Sequence, residues 1–151
     1  MLRVRTHNVC SLAIASAVLA LAASAGCGQS GVPRNAVWGS VTWKGQPVPR
    51  GVIYISPDTK KGNSGPQGYA LIKDGHYDTR DKLSKGCSAG PQIAVVQGCD
   101  GQGIGPGRPY GNSLFVPFEI PIEVAPDGSQ ADLTIPDSVL PADPTMKTDR
   151  E

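Results

Sequence analysis

The residues with chemical options in the body of this chain are two cysteines, one histidine, a run of spaced glycines and two tryptophans. Cys87 and Cys99 are an even pair of thiols, which in an oxidising compartment favours a disulfide. A bridge needs Cα atoms within about 7 Å, and these two flank the apolar run 93–97, so residues 85–91 would have to fold back along it. Zinc would need three or four ligands; His76 is the one nitrogen ligand near the pair, so no metal is expected. As a general base His76 would need an oriented partner and a nucleophile. No Ser or Cys stands in a recognisable motif with it, and, following a turn glycine, it should face solvent. Gly101-x-Gly103-x-Gly105-x-Gly107 has the spacing of a phosphate cradle but lacks the Gly-Lys-Ser/Thr ending and a following helix. Asp100 beside it is a candidate ligand contact, although one carboxylate is too few for calcium. Trp38 has the opposite parity to Val37, Val41 and Trp43, so it is expected on the outer face, where an indole can stack on a sugar or meet a partner but more often packs under a loop or tail. These residues assemble no catalytic site and imply no cofactor.

The elements that must position them read as strands. Residues 37–43, 52–56, 69–73, 76–79, 93–97 and 131–135 are short apolar runs bounded by turn residues. Asp74-Gly75 is a hairpin turn that tolerates positive φ. In 118–124, Phe118, Ile120, Ile122 and Val124 alternate with Glu119, Pro121 and Glu123, which is a half-buried strand. Pro121 has no N–H, so that strand belongs at an edge or a bulge. No helical periodicity is visible after residue 36. With 19 glycines and 14 prolines, a helical bundle is disfavoured and a turn-rich sheet is natural. The expected fold is all-β: one antiparallel β-sandwich of about seven strands over 36–136. The proline-rich residues 137–151 are expected to be disordered.

The N-terminal segment reads differently. Arg3 and Arg5 precede an uncharged apolar stretch, 9–25, too short to span a membrane comfortably and ending in small residues. That describes a signal peptide, with Cys10 inside it. Ser24-Ala25-Gly26-Cys27 resembles the lipobox of bacterial lipoproteins, with Ser24 where Leu is usual. The resemblance implies removal of 1–26 and lipid on Cys27. Gly28 in place of Asp does not suggest inner-membrane retention. The implied address is the cell envelope, at the outer membrane facing the periplasm or the cell surface. Residues 27–35 would form a short tether.

The folded part carries a second resemblance. Val37-x-Gly39-x-Val41-Thr42-x-x-Gly45-x-Pro47-Val48, then Gly51-x-Ile53-x-Ile55-x-Pro57, then Ile72-x-Asp74-Gly75-x-Tyr77, resembles the carboxypeptidase-regulatory-like, transthyretin-like sandwich domains. It looks most like the short planctomycete lipoproteins that carry one such domain after a lipobox. The match spans about 36–98 and a last hairpin at 115–135. The pattern is interrupted where Cys87-Ser88-Ala89-Gly90-Pro91 leads into Ile93 and the Gly-rich loop 98–111 follows. These motifs speak for a fold rather than an activity.

Charge narrows the partners. Without Arg3 and Arg5 the remaining chain has 12 Lys/Arg against 13 Asp/Glu, and no basic run suits a phosphate backbone, so nucleic acid is not an expected partner. The expected partners are the membrane, through lipid on Cys27, and an envelope protein or glycan. Two functions fit: a non-catalytic structural or interaction module, or a carbohydrate-binding-like module using Trp38 and the 98–111 loop.

Overall fold

The computed structural model describes residues 32–142. The expected signal segment, the lipid acceptor Cys27 and most of the tether lie outside the described residues. Nine strands form the domain: β1 (Val37–Trp43), β2 (Gln46–Pro47), β3 (Arg50–Pro57), β4 (Gly68–Lys73), β5 (His76–Asp78), β6 (Gly90–Cys99), β7 (Phe118–Val124), β8 (Ser129–Gln130) and β9 (Leu133–Ile135). A 3₁₀ turn, Thr59–Lys61, is capped by the Asp58 side chain. No helix among the described residues is long and apolar enough to cross a membrane.

Two hairpins start the fold, and both have the turn chemistry their sequences call for. Lys44-Gly45 (φ 52° and 70°) and Asp74-Gly75 (φ 50° and 79°) put two successive residues in the left-handed region. Such a turn follows the right-handed twist of the strands it joins. They connect β1 to β2 and β4 to β5. The neighbouring pairs β1–β5, β5–β4, β4–β3, β3–β6 and β6–β7 are all antiparallel. The far edge of β1 differs from expectation: the chain returns alongside it, and β8 and β9 pair with β1 in parallel. The outcome is an all-β sheet that curls around one core, the sandwich expected, with a parallel seam at its β1 end and β7 as the opposite edge.

The core follows strand parity. Val37 and Val41 of β1, Ile53 and Ile55 of β3, Ala70 and Ile72 of β4, and Ala94 and Val96 of β6 point inward and are buried. Phe115 plugs the end of this core from the loop after β6, with its ring 5.2 Å from that of Trp43. It packs under Gly98, where a Cβ would come within 2.6 Å of the ring. The strand β7 is an edge: it pairs with β6 alone, opposite Ile93 at Pro121. Pro91 offers its carbonyl to Asp58 on the β3 side, so odd residues of β6 bond toward β3. Pro121, the odd-numbered partner of Ile93, therefore turns its N–H-less nitrogen outward and costs the ladder nothing.

Both ends of the folded part extend further than expected. Arg34 Nη1 donates to the carbonyls of Gln67 and Gly86 at 2.8 and 2.6 Å, and Asn35 forms a bridge with Cys87. The last two tether residues are thus part of the domain. Residues 137–142 are ordered as well: Val139 is buried, Pro141 bridges to Phe115, and Ala142 N donates to Leu114 O at 3.3 Å. The segment 114–116 has backbone groups to satisfy, and the tail supplies them.

Candidate functional site

The outer face of β1, β5 and β4 carries the first candidate site. Parity sends Trp38 and Ser40 of β1, His76 and Asp78 of β5, and Leu71 and Lys73 of β4 to this face. They line a cleft of about 560 Å³, joined by Gln130 and Asp132 from the returning chain. Trp38 is half-buried and His76 is exposed. The Arg80 guanidinium lies 4.4 Å from the centre of the Trp38 ring. It is fixed there by Asp78, with Nε 2.9 Å from Oδ1 and Nη2 2.6 Å from Oδ2. These hydrogen bonds hold the Asp78 carboxyl below the usual carboxylate range. One indole face is therefore stacked on a cation and is not open to a sugar.

A serine, a histidine and an aspartate meet in this cleft, in an order that does not make a nucleophile. Ser40 N and Ser40 Oγ donate to Asp132 Oδ1 at 2.7 and 2.8 Å. Both bonds lower the Asp132 pKa, the backbone one more strongly. His76 stands across the ladder from Ser40. A serine nucleophile must pass its proton to an imidazole that the carboxylate orients; here the hydroxyl donates straight to the carboxylate. Beneath the cleft, the buried Tyr77 donates its hydroxyl to Ala131 O at 2.7 Å, and burial raises its pKa. That bond ties β5 to the returning chain.

Asp100 lies elsewhere. It borders an apolar groove of about 320 Å³ lined by Trp43, Pro47, Val48, Pro49 and Leu114, with Lys44 Nζ 4.5 Å from the Trp43 ring centre. Trp38 and Asp100 line different concavities, so the structure does not bring the two candidate ligand contacts together. The Asp100 carboxylate is occupied by its own loop: Oδ1 accepts from Gln102 N (2.9 Å) and Asn112 N (3.1 Å), and Oδ2 from Asn112 Nδ2 (3.2 Å). The Gln102 bond is the main cause of its lowered pKa. The glycine-spaced segment is a self-bonded excursion, with Asp100 N to Asn112 O and Leu114 N to Gly98 O at its base. Asp100 is its organiser.

The expected disulfide is corrected. Cys87 and Cys99 are free. Cys99 ends strand β6, whereas Cys87 lies on the far side of β4, packed against Gly68, with β4 and β3 between it and β6. The chain before β6 runs along β4 rather than along β6, with Lys85 bridged to Tyr69 and Cys87 to Asn35. Burial pushes the Cys87 thiol up to about 11. Among the described residues no group of three or more His, Cys, Asp or Glu is placed to hold a metal.

Sequence reasoning missed Asp78, Arg80 and Asp132. Asp78 and Arg80 are two residues apart and could have been read as a pair. The Ser40–Asp132 contact spans 92 residues and has no local signal. Comparison with known proteins returns no match: no family model fits the chain, and no curated protein or solved structure is significantly similar to it.

Proposed function

We propose that this chain is a cell-envelope lipoprotein, cut before Cys27 and lipidated there, whose β-sandwich of carboxypeptidase-regulatory-like type serves as a non-catalytic structural and interaction module. The observation that carries this reading is the short distance between the lipobox and the fold. Arg34 is already bonded into the sheet end through Gln67 and Gly86. Six residues separate it from Cys27, seven Cα-to-Cα steps with a reach of at most about 25 Å at full extension. A lipid on Cys27 would hold the domain against the bilayer surface, and multiple acyl chains make such anchoring stable. In the outer cleft beside Trp38, Ser40 bonds to Asp132 and Asp78 to Arg80, so these polar groups are held by one another.

The test is expression of the full chain in a diderm bacterium, with intact mass and membrane fractionation beside Cys27→Ala. Lipid mass on the wild type and release of the variant support the reading. An unlipidated soluble product from both removes it.

A second reading rests on the cleft beside Trp38, which is large enough for a small polar ligand. Arg80 would have to leave the ring for a sugar to stack there. Binding of glycan fragments that shifts Trp38 fluorescence, and that is gained rather than lost in Arg80→Ala, would favour it.

A further inference from the structure

An antiparallel sheet with one wet face alternates apolar and polar residues, whereas one covered on both faces reads as continuous apolar runs. The central strands here are of the second kind: Val52-Ile53-Tyr54-Ile55 in β3, Tyr69-Ala70-Leu71-Ile72 in β4 and Ile93-Ala94-Val95-Val96 in β6. Ile53, Ile55, Ala70, Ile72, Ala94 and Val96 fill the core. Tyr54, Tyr69, Leu71, Ile93 and Val95 have the other parity and stand on the outer face, where Tyr54 is 39% exposed. Leu71 borders the Trp38 cleft, and Ile93 and Val95 line a shallow concavity walled by residues 56–60; Tyr54 is the most exposed of the five.

The register orders this face. Tyr54 is directly opposite Tyr69 on β4 and Val95 on β6. Val95 is opposite Glu119 on β7, and Tyr69 is bridged to Lys85. One straight row across the sheet therefore reads Lys85, Tyr69, Tyr54, Val95, Glu119. It has a cation at one end, a carboxylate at the other and an exposed tyrosine in the middle. Val52 and Leu71 on one side of the row, and Ile93 and Pro121 on the other, extend the apolar strip.

We propose that this face is covered by a second copy of the chain, related by a two-fold axis that runs along β3 under Tyr54. That rotation reverses the row. It lays Lys85 over the partner's Glu119, Glu119 over the partner's Lys85, and the two Tyr54 side chains against each other at the axis. A self-complementary patch of this kind is what an isologous interface requires. Two sheets packed in this way sit about 10 Å apart with strands nearly aligned. The patch crosses the Lys85 segment, β4, β3, β6 and β7, about 19 Å, and runs about 14 Å along the strands from the Val52 row to the Ile93 row, the size of the apolar centre of an interface with a charged residue at each side. The inference is independent of the lipid anchor.

The experiment uses the full chain, in whichever cell fraction it is found. Tyr54→Cys treated with a short bismaleimide should give a covalent dimer, above the background set by the wild type with its own cysteines. Adding Glu119→Lys or Lys85→Glu alone places like charges together at two symmetric points and should cut the yield at least about tenfold. Combining both reversals should restore it. Circular dichroism of each variant separates misfolding from lost association. Overturning results are a Tyr54→Cys yield no higher than background, a cross-link to a different protein or within one chain, or a double reversal that stays monomeric while folded.

Discussion

Replacing Gly39 by alanine should damage the domain out of proportion to one methyl group. Gly39 lies in β1 opposite Tyr77, with the returning chain on its other side. A Cβ at Gly39 would overlap the carbonyl oxygen of Ala131 and sit 2.7 Å from its carbonyl carbon, where ordinary contact begins at 3.4 Å. Both atoms are backbone, so no side chain can swing aside. The returning chain would have to retreat by about an ångström or more. Three bonds hold it in place: Ala131 N to Trp38 O at 2.8 Å, Tyr77 Oη to Ala131 O at 2.7 Å and Ser40 N to Asp132 Oδ1 at 2.7 Å. Overpacking costs about 1–3 kcal/mol, and weakening one of these bonds adds about 1 kcal/mol, for a total of about 3 kcal/mol. With an m-value of about 1.5 kcal/mol per molar, the urea midpoint should fall by about 2 M. The assay is urea unfolding followed by tryptophan fluorescence. Gly45→Ala is the control: its Cβ meets nothing, and its φ of 70° costs only the left-handed penalty, about 1 kcal/mol. A Gly39→Ala midpoint within error of the wild type, or a Gly45→Ala loss larger than that of Gly39→Ala, would refute the close-approach argument.

Phe115→Ala should cost about 3–5 kcal/mol, because the ring is 1% exposed and closes the core from a loop; calorimetric unfolding measures it. Tyr77→Phe keeps the ring but removes the bond to Ala131 O, and should lower stability by about 1 kcal/mol in urea. Asp78 has a lowered pKa in the folded chain, chiefly through its side-chain hydrogen bond with Arg80. Its contribution to stability is therefore complete above the ordinary carboxylate pKa and is lost as pH falls through the lowered value. Arg80→Ala should move the Asp78 titration, read by NMR, upward toward the ordinary range; no movement would break the assigned cause. Alkylation at pH 8 should label Cys99 before Cys87, whose buried thiol is pushed up to about 11. Thiol counting in denaturant should find both reduced even after air oxidation, and a bridged pair would contradict the separation set by β4 and β3.

Much of the fold is written in local pattern. Strand alternation in Phe118–Val124 and apolar runs between turn residues set β1 and β7 at the residues where they occur, because side-chain period and turn chemistry are properties of a few neighbouring residues. The Asp74-Gly75 hairpin and the edge position of Pro121 follow from backbone steric limits and a missing N–H. What needed the tertiary structure is whatever depends on residues far apart in the chain. The parallel return of β8 and β9, the order imposed on 137–142, the separation of Cys87 from Cys99 and the division of Trp38 and Asp100 between two concavities are all of that kind. Spacing along the chain bounds such distances from above and leaves their values to the packing. The apolar outer face lies between the two cases: its runs are plain in the sequence, but which half of each run faces the core was decided only when the strands were laid side by side.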